Sequence, residues 1–293
     1  MIIISVSAPN VQLPRKSPSS EEFALKTFHN KDFARSDYEN ELDALRIVSP
    51  EPHLVELLAS FESWSDDKIN SGLLFPWASG GSLRDLWSKD RPSLFKDFGP
   101  RDAEFLLKWL AMQAQGMMSG LKTIHRPAPL MSPTEAGVNR LYGIHGDLKP
   151  ENILHFSQET QMHPFGMLKI ADFGVVEFRS RATGTRQNQE WAGPGSPAYR
   201  SPEHDTVSKI SRKVDIWAMG CVFSEMLTWA VFGSGAVERY RDTRLEDQTQ
   251  PDDVVGLKED NFFCRIEGGG SHEQEATLSH VRKPSVDEVC SHI

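Results

Sequence analysis

Apolar positions recur along the chain with two periods. Residues 23–28, FALKTF, alternate large apolar with smaller or polar side chains, the period of a half-buried strand. From about Ser36, Tyr38, Leu42, Leu45 and Ile47 fall near helical spacing with acidic residues early, which predicts an amphipathic helix. LVELLASFES and SGLLFPWA predict two further strands, the second running into a turn at Ser79, Gly80 and Gly81. Residues 103–125 are long, rich in helix formers and apolar over a wide face, so a helix is expected there. NILHF and MLKIADF predict short strands around a polar hairpin. Residues 214–232 are apolar almost all round, as in a helix through the middle of a domain. Asp215 and Glu225 within that run argue against a membrane span.

Between these elements the chain is polar. Residues 11–22, rich in Pro, Ser and charge, predict a flexible connection, and RPAPLMSPTEAG predicts a surface loop. Residues 179–196 carry Arg, Ser, Thr, Gly and Gln without apolar period, so they are expected to form an exposed loop that includes Arg179, Arg181 and Arg186. Residues 238–280 show no pattern, and SVDEVCSHI predicts a short closing helix. The opening MIIISVSAPN lacks a basic flank and is too short for a signal peptide or span, leaving a strand remnant or a frayed terminus.

Composition narrows the function. A net charge of −9 and a pI near 5.6 argue against nucleic acid or an anionic membrane as general partners. Three scattered cysteines, Cys221, Cys264 and Cys290, are too few for a disulfide framework or a Cys-based zinc site, so an intracellular location, cytoplasmic or nuclear, is expected. His163, His272 and His280 show no metal-ligand spacing.

GIHGDLKPENIL, residues 143–154, sets Asp147, Lys149 and Asn152 on one short loop, and ADFG follows with Asp172 before Gly174. Two carboxylates and an amide on neighbouring loops suit magnesium held against a triphosphate, because magnesium prefers oxygen ligands and binds through few carboxylates plus phosphates. In this ordered combination the chain resembles the eukaryotic protein kinase family, and the KPEN form is similar to its Ser/Thr branch. The resemblance covers residues 23 to about 232.

That resemblance implies an α+β, two-lobed fold: a small mixed N-lobe over residues 1–75 and a mainly helical C-lobe over residues 76–293. It implies transfer of the ATP γ-phosphoryl group to a Ser or Thr hydroxyl of a protein, with ATP and Mg2+ as cofactors and no stated oligomeric form. Asp147 would accept the hydroxyl proton, Lys149 would neutralise the transferred group, Asn152 and Asp172 would bind magnesium, and His145 would support the loop. Lys26 would hold phosphates, paired with Glu41 or its rival Glu39, while Phe75, Trp77 and Ala78 would meet the adenine. GSPAYRSPE, 195–203, would receive the substrate, and Asp215 with Trp217 would support the catalytic loop from below.

Two features depart from the family pattern. Gly146 stands where an arginine is usual, which puts control through Ser180, Thr183, Thr185 or Ser196 in question. No glycine precedes Gly72, so the Gly-rich hairpin that normally covers the phosphates is missing and the N-lobe sheet is expected to be two strands short, with an exposed edge. Two alternatives to a working enzyme follow: a pseudokinase-like binding module, or an incomplete piece of a larger kinase.

Overall fold

The computed structural model describes residues 2–5, 22–28, 34–48, 50–65, 68–89, 100–127, 141–158, 165–180, 196–206, 210–247, 260–267 and 278–292. The first quarter of the chain builds an antiparallel sheet from β1 (Ile2–Ser5), β2 (Glu22–Phe28), β3 (Ala59–Ser65) and β4 (Lys68–Pro76), in the order β1-β2-β4-β3. The opening residues are therefore a strand. They pair with Glu22 to Leu25 and cover the near half of an edge that the sequence reading leaves open. LVELLASFES is a strand only in its second half; Leu54 instead bridges to Ile170 and Val55 N–H donates to the Ile170 carbonyl at 2.9 Å.

Helix α1 (Ala34–Ile47) crosses this sheet. Tyr38 and Leu42, one turn apart, bury with Leu73 against Phe28, Leu45, Leu57 and Phe75. Asp37 in its first turn and Arg46 in its last oppose the helix dipole favourably.

The larger core belongs to the helices. After β4 the chain turns at Gly81, in the left-handed region at φ 77°, and enters α2 (Leu83–Trp87). Ser82 and Asp85 form a reciprocal capping box, with Ser82 N–H donating to Asp85 Oδ2 at 2.7 Å and Asp85 N–H to Ser82 Oγ at 3.2 Å. Helix α3 (Pro100–His125) and helix α5 (Lys213–Phe232), separated by the one-turn α4 (Glu203–Thr206), carry most of the packing. Leu106, Trp109, Leu110, Met117, Leu121 and Ile124 of α3 follow helical spacing and are buried. Gln113, on the same face, accepts the Leu168 N–H at 2.9 Å, so its buried amide costs little. Helix α5 is long and apolar enough to cross a membrane, but Val222, Met226 and Trp229 pack in the core.

Three short antiparallel strand pairs complete the frame: β5 (Leu141–Ile144) with β8 (Glu177–Ser180), β6 (Ile153–Phe156) with β7 (Met167–Ile170), and β9 (Phe263–Glu267) with β10 (Leu278–Arg282). Helices α6 (Ala236–Glu246) and α7 (Pro284–His292) pack together beside the last hairpin. The closing helix agrees with its expected place, whereas α6 and the β9–β10 hairpin lie in the stretch that reads as patternless. Residues 179 and 180 belong to β8, not to a loop, and 181–195, with Arg181, Thr183, Thr185 and Arg186, lie outside the described residues, as do 11–21 of the expected connection.

Two mid-helix glycines separate fit from freedom. His53 is buried, bonds the Leu168 carbonyl through Nδ1 at 2.8 Å, and lays its ring where a Cβ on Gly116 of α3 would be. Gly220 of α5 has nothing within 4 Å of that position. Gly116→Ala is expected to lower the unfolding free energy by about 1–3 kcal/mol through overpacking, and Gly220→Ala to raise it by up to about 1 kcal/mol through helix propensity. Urea unfolding midpoints check both signs.

Candidate active site

The site grows from a buried carboxylate. Asp215, in the first turn of α5, is 1% exposed and accepts from His145 N–H and Gly146 N–H, each at 2.9 Å, and from His125 Nε2 at 2.7 Å. These bonds fix the backbone just after β5. Gly146 adopts φ 81°, a region that glycine enters without a Cβ penalty, so this departure from the family pattern suits the turn locally. His145 is fully buried; burial depresses its pKa, which keeps the ring neutral. Its Nε2 meets the Ala171 carbonyl at 3.1 Å and its Nδ1 faces Asp147 N–H at 3.4 Å, so the Nε2–H tautomer satisfies both partners.

The loop so anchored presents Asp147, Lys149 and Asn152 together. Lys149 Nζ lies 2.7 Å from Asp147 Oδ2, and Asn152 Nδ2 donates to the same oxygen at 3.0 Å and to the Asp147 carbonyl at 2.8 Å. A 3-10 turn, Pro150–Asn152, delivers Asn152 into β6. On the far side, Ser196 donates its N–H to Asp147 Oδ1 at 3.2 Å, with its hydroxyl at 3.4 Å. Asp147 is thereby oriented from both sides while remaining partly exposed.

The hairpin β6–β7 brings the second carboxylate alongside. Ile153 pairs with Ile170, and Ala171 N–H donates to the Asn152 carbonyl at 2.9 Å, so Asp172 follows immediately beside Asn152. Asp172 takes φ 62°, the left-handed region that Asp tolerates better than most residues. Its Oδ1 accepts from Lys26 Nζ at 2.9 Å and from Gly174 N–H at 3.4 Å.

Lys26 of β2 also lies 2.6 Å from Glu41 Oε2 of α1. Glu39 points elsewhere, pairing with Arg35 at 2.9 Å, so the choice between the two helix carboxylates falls on Glu41. Burial raises the Glu41 pKa above its ordinary 4.5 although Lys26 opposes the rise, because this side chain is only 2% exposed. For Asp172 burial also pushes upward, but Lys26 and its hydrogen bond outweigh it and the pKa falls below 3.8. Burial works against the charge on Lys26, and the two carboxylates together lift its pKa above 10.5.

Phe75, Trp77 and Ala78 stand at and beyond the end of β4, and Phe75 packs against Tyr38, Leu42 and Leu73. Phe75 stands opposite Ala24 of β2, and the Ala78 carbonyl is taken by Gly81 N–H at 3.0 Å. The donor set fits magnesium with a polyphosphate: one carboxylate and one amide oxygen, side by side, with an ammonium close at hand. Among the described residues no group of three or more His, Cys, Asp or Glu forms a self-sufficient cage, which suits a cation that takes its remaining ligands from phosphate and water. Arg84 and Glu225 are functional candidates to which the sequence assigns no role at the site, and Tyr199 is known from the sequence only as part of the segment GSPAYRSPE.

The family profile described as protein kinase domain matches residues 8–250. Among similar proteins, serine/threonine-protein kinase 17A of Oryctolagus cuniculus is 26% identical over 213 residues, covering 72% of this chain and 44% of that one. Serine/threonine-protein kinase ULK3 of Homo sapiens is 27% identical over 244 residues, 83% of this chain and 42% of that one. GLH-binding kinase 1 of Caenorhabditis elegans is 31% identical over 123 residues, 42% and 27% of the two chains. The chain spans less than half the length of these curated relatives.

The Lys26 charge balances a buried one, which gives its removal a pH signature. Lys26→Met leaves ionised Glu41 without its cation, and protonated Glu41 needs none. The variant is expected to lose about 1–3 kcal/mol at pH 7, less than a fully buried pair would because Lys26 is 36% exposed. Since the Glu41 pKa lies above 4.5, the loss should shrink as pH falls towards that value. The Asp172 contribution stays complete above 3.8 and fades only as pH falls through its lower folded value, so it does not mimic the effect. Urea unfolding at pH 7 and 4.5 measures the difference; a loss that grows on acidification would contradict the pairing.

Proposed function

The chain belongs to the protein kinase domain family, and on that premise we propose that it transfers the γ-phosphoryl group of ATP to a serine or threonine hydroxyl of a protein. The observation that carries this reading is the meeting of two loops: Asp147, Lys149 and Asn152 on one, Asp172 on the other, tied by the Ala171–Asn152 hydrogen bond. A third element, β2, brings Lys26 to Asp172.

Each side chain then has a defined task. Asp147 takes the proton of the acceptor hydroxyl as that oxygen bonds to the γ-phosphorus and the bond to the β-phosphate oxygen breaks, releasing ADP. Its carboxylate is already aimed by Asn152 from one side and Ser196 from the other, so little reorientation accompanies the reaction. Lys149, 2.7 Å from Asp147, places positive charge where the transferred group becomes more negative. Asn152 and Asp172 would hold magnesium, which supplies charge against the phosphate oxygens when bound. Lys26 is held at the same carboxylate by Glu41, and it would meet the non-transferred phosphates. Phe75, Trp77 and Ala78 would border the adenine, and an intracellular protein would be the acceptor.

Asp147→Asn tests the reading because it keeps the size and planarity of the side chain while removing the base, at the cost of the bonds that one of the two carboxylate oxygens accepts. Transfer of labelled γ-phosphate to a generic protein acceptor is expected to fall by about 10²–10⁴-fold in kcat, with KM for ATP little changed. Unchanged transfer in Asp147→Asn would sink the assignment. Nucleotide binding without transfer in the unsubstituted chain would favour the binding-module reading, in line with the absence of glycine before Gly72.

A further inference from the structure

Behind the site runs a chain of polar side chains that the reaction itself does not use. Arg84, half-buried on α2, donates from Nε to Glu151 Oε1 at 2.9 Å and from Nη2 to the Tyr199 hydroxyl at 2.9 Å. The Tyr199 hydroxyl donates to Glu225 Oε2 at 2.7 Å, and Glu225 Oε1 accepts from Arg244 Nη2 at 3.0 Å. Arg244 is fully buried, bonds Asp260 through Nε at 3.0 Å, and lies over the rings of Tyr240 and Phe262 at 4.3 and 4.0 Å. The series runs from α2 through α5 and α6 to the last described segments.

The two ends of Arg84 reach the two segments that orient Asp147. Glu151 is the middle residue of the turn Pro150–Asn152, whose Asn152 donates to Asp147 Oδ2. Tyr199 closes the turn Pro197–Tyr199, where its N–H donates to the Ser196 carbonyl at 3.0 Å, and Ser196 donates to Asp147 Oδ1. We infer that Arg84 is a positioning residue: one guanidinium bridges the turns on either side of Asp147 and holds that carboxylate at the angle that transfer requires. The catalytic part of this inference rests on the function proposed above; the geometric part does not.

The chemistry suits an arginine. Its planar fork satisfies two acceptors in different directions, which a lysine ammonium on a flexible stem does less well. Burial opposes the Arg84 charge, but Tyr199, Glu225 and Glu151 outweigh it and raise its pKa. Burial and the facing Glu225 push the Tyr199 phenol far above its ordinary value, so the hydroxyl stays a donor to Glu225 and an acceptor from Arg84. Glu225 keeps Arg244 when Arg84 is removed, so no buried charge is stranded and the variant should fold.

Arg84→Ala and Arg84→Lys would be compared with the unsubstituted chain by residue-resolved amide hydrogen exchange and by steady-state transfer kinetics. In Arg84→Ala, exchange of the Ser196 and Tyr199 amides should accelerate about tenfold or more while amides within α3 and α5 stay as protected as before. In the same variant kcat should fall by about 10–100-fold with KM for ATP unchanged; Arg84→Lys should fall between. Unchanged exchange at Ser196, or a uniform rise across the molecule, would overturn the inference, as would unchanged kcat in an active protein. If the unsubstituted chain shows no transfer yet the local exchange response appears, the bridge stands and the proposed function falls.

Discussion

A carboxylate as deeply buried as Asp215 is tolerable only while its donors stay in place. Its partners are the two backbone N–H groups of His145 and Gly146 and the imidazole of His125, at 2.7 to 2.9 Å. Removing a partner from a buried charge costs several kcal/mol as an order of magnitude, so the backbone leading to Asp147 has one conformation. From that constraint the rest follows in sequence: neutral His145 reaches Ala171, Ala171 reaches Asn152, and the loops carrying Asp147 and Asp172 meet although the strands before them, β5 and β7, do not pair with each other.

The molecule repeats this device. Glu41 in the small cluster and Glu225 in the large one are each about as buried as a core leucine, and each forms an ion pair, with Lys26 or Arg244. Paired buried charges contribute little to net stability compared with apolar replacements, because desolvation offsets attraction. What they provide here is direction: a helix carrying one buried carboxylate has one orientation relative to the cation it must meet. Lys26 links α1 to the Asp172 loop in this way, and Arg244 links α5 to the last segments of the chain.

Legibility in the sequence tracked how each element is stabilised. Helices α1 and α3 and strands β2, β6 and β7 bury apolar side chains at regular period, and that period is visible in one dimension, while α5 shows as a long run that is apolar almost all round. Helix α6 was hidden because its inward face includes Arg244, an arginine that satisfies buried acidic partners instead of packing as a hydrophobe. The β9–β10 hairpin sits in the same polar stretch, and the first half of LVELLASFES reads as strand although Leu54 and Val55 bury against Ile170 in a loop. The motif residues were legible because Asp147, Lys149, Asn152 and Asp172 are close in sequence or follow a recognisable turn. Arg84, Tyr199 and Glu225 meet across separations of 26 to 115 residues, and nothing local marks them.

If the proposed function holds, the Asn152 and Asp172 loops together make a magnesium-dependent nucleotide site. Thermal unfolding of the chain with ATP, in the presence of magnesium or of a chelator, is the measurement to make. A ligand that binds only the folded state stabilises it by about 2.7 kcal/mol at 100 times its Kd, so Mg-ATP should raise Tm clearly and the chelator should remove the rise. Equal midpoints with and without magnesium, in a protein that unfolds cooperatively, would contradict it.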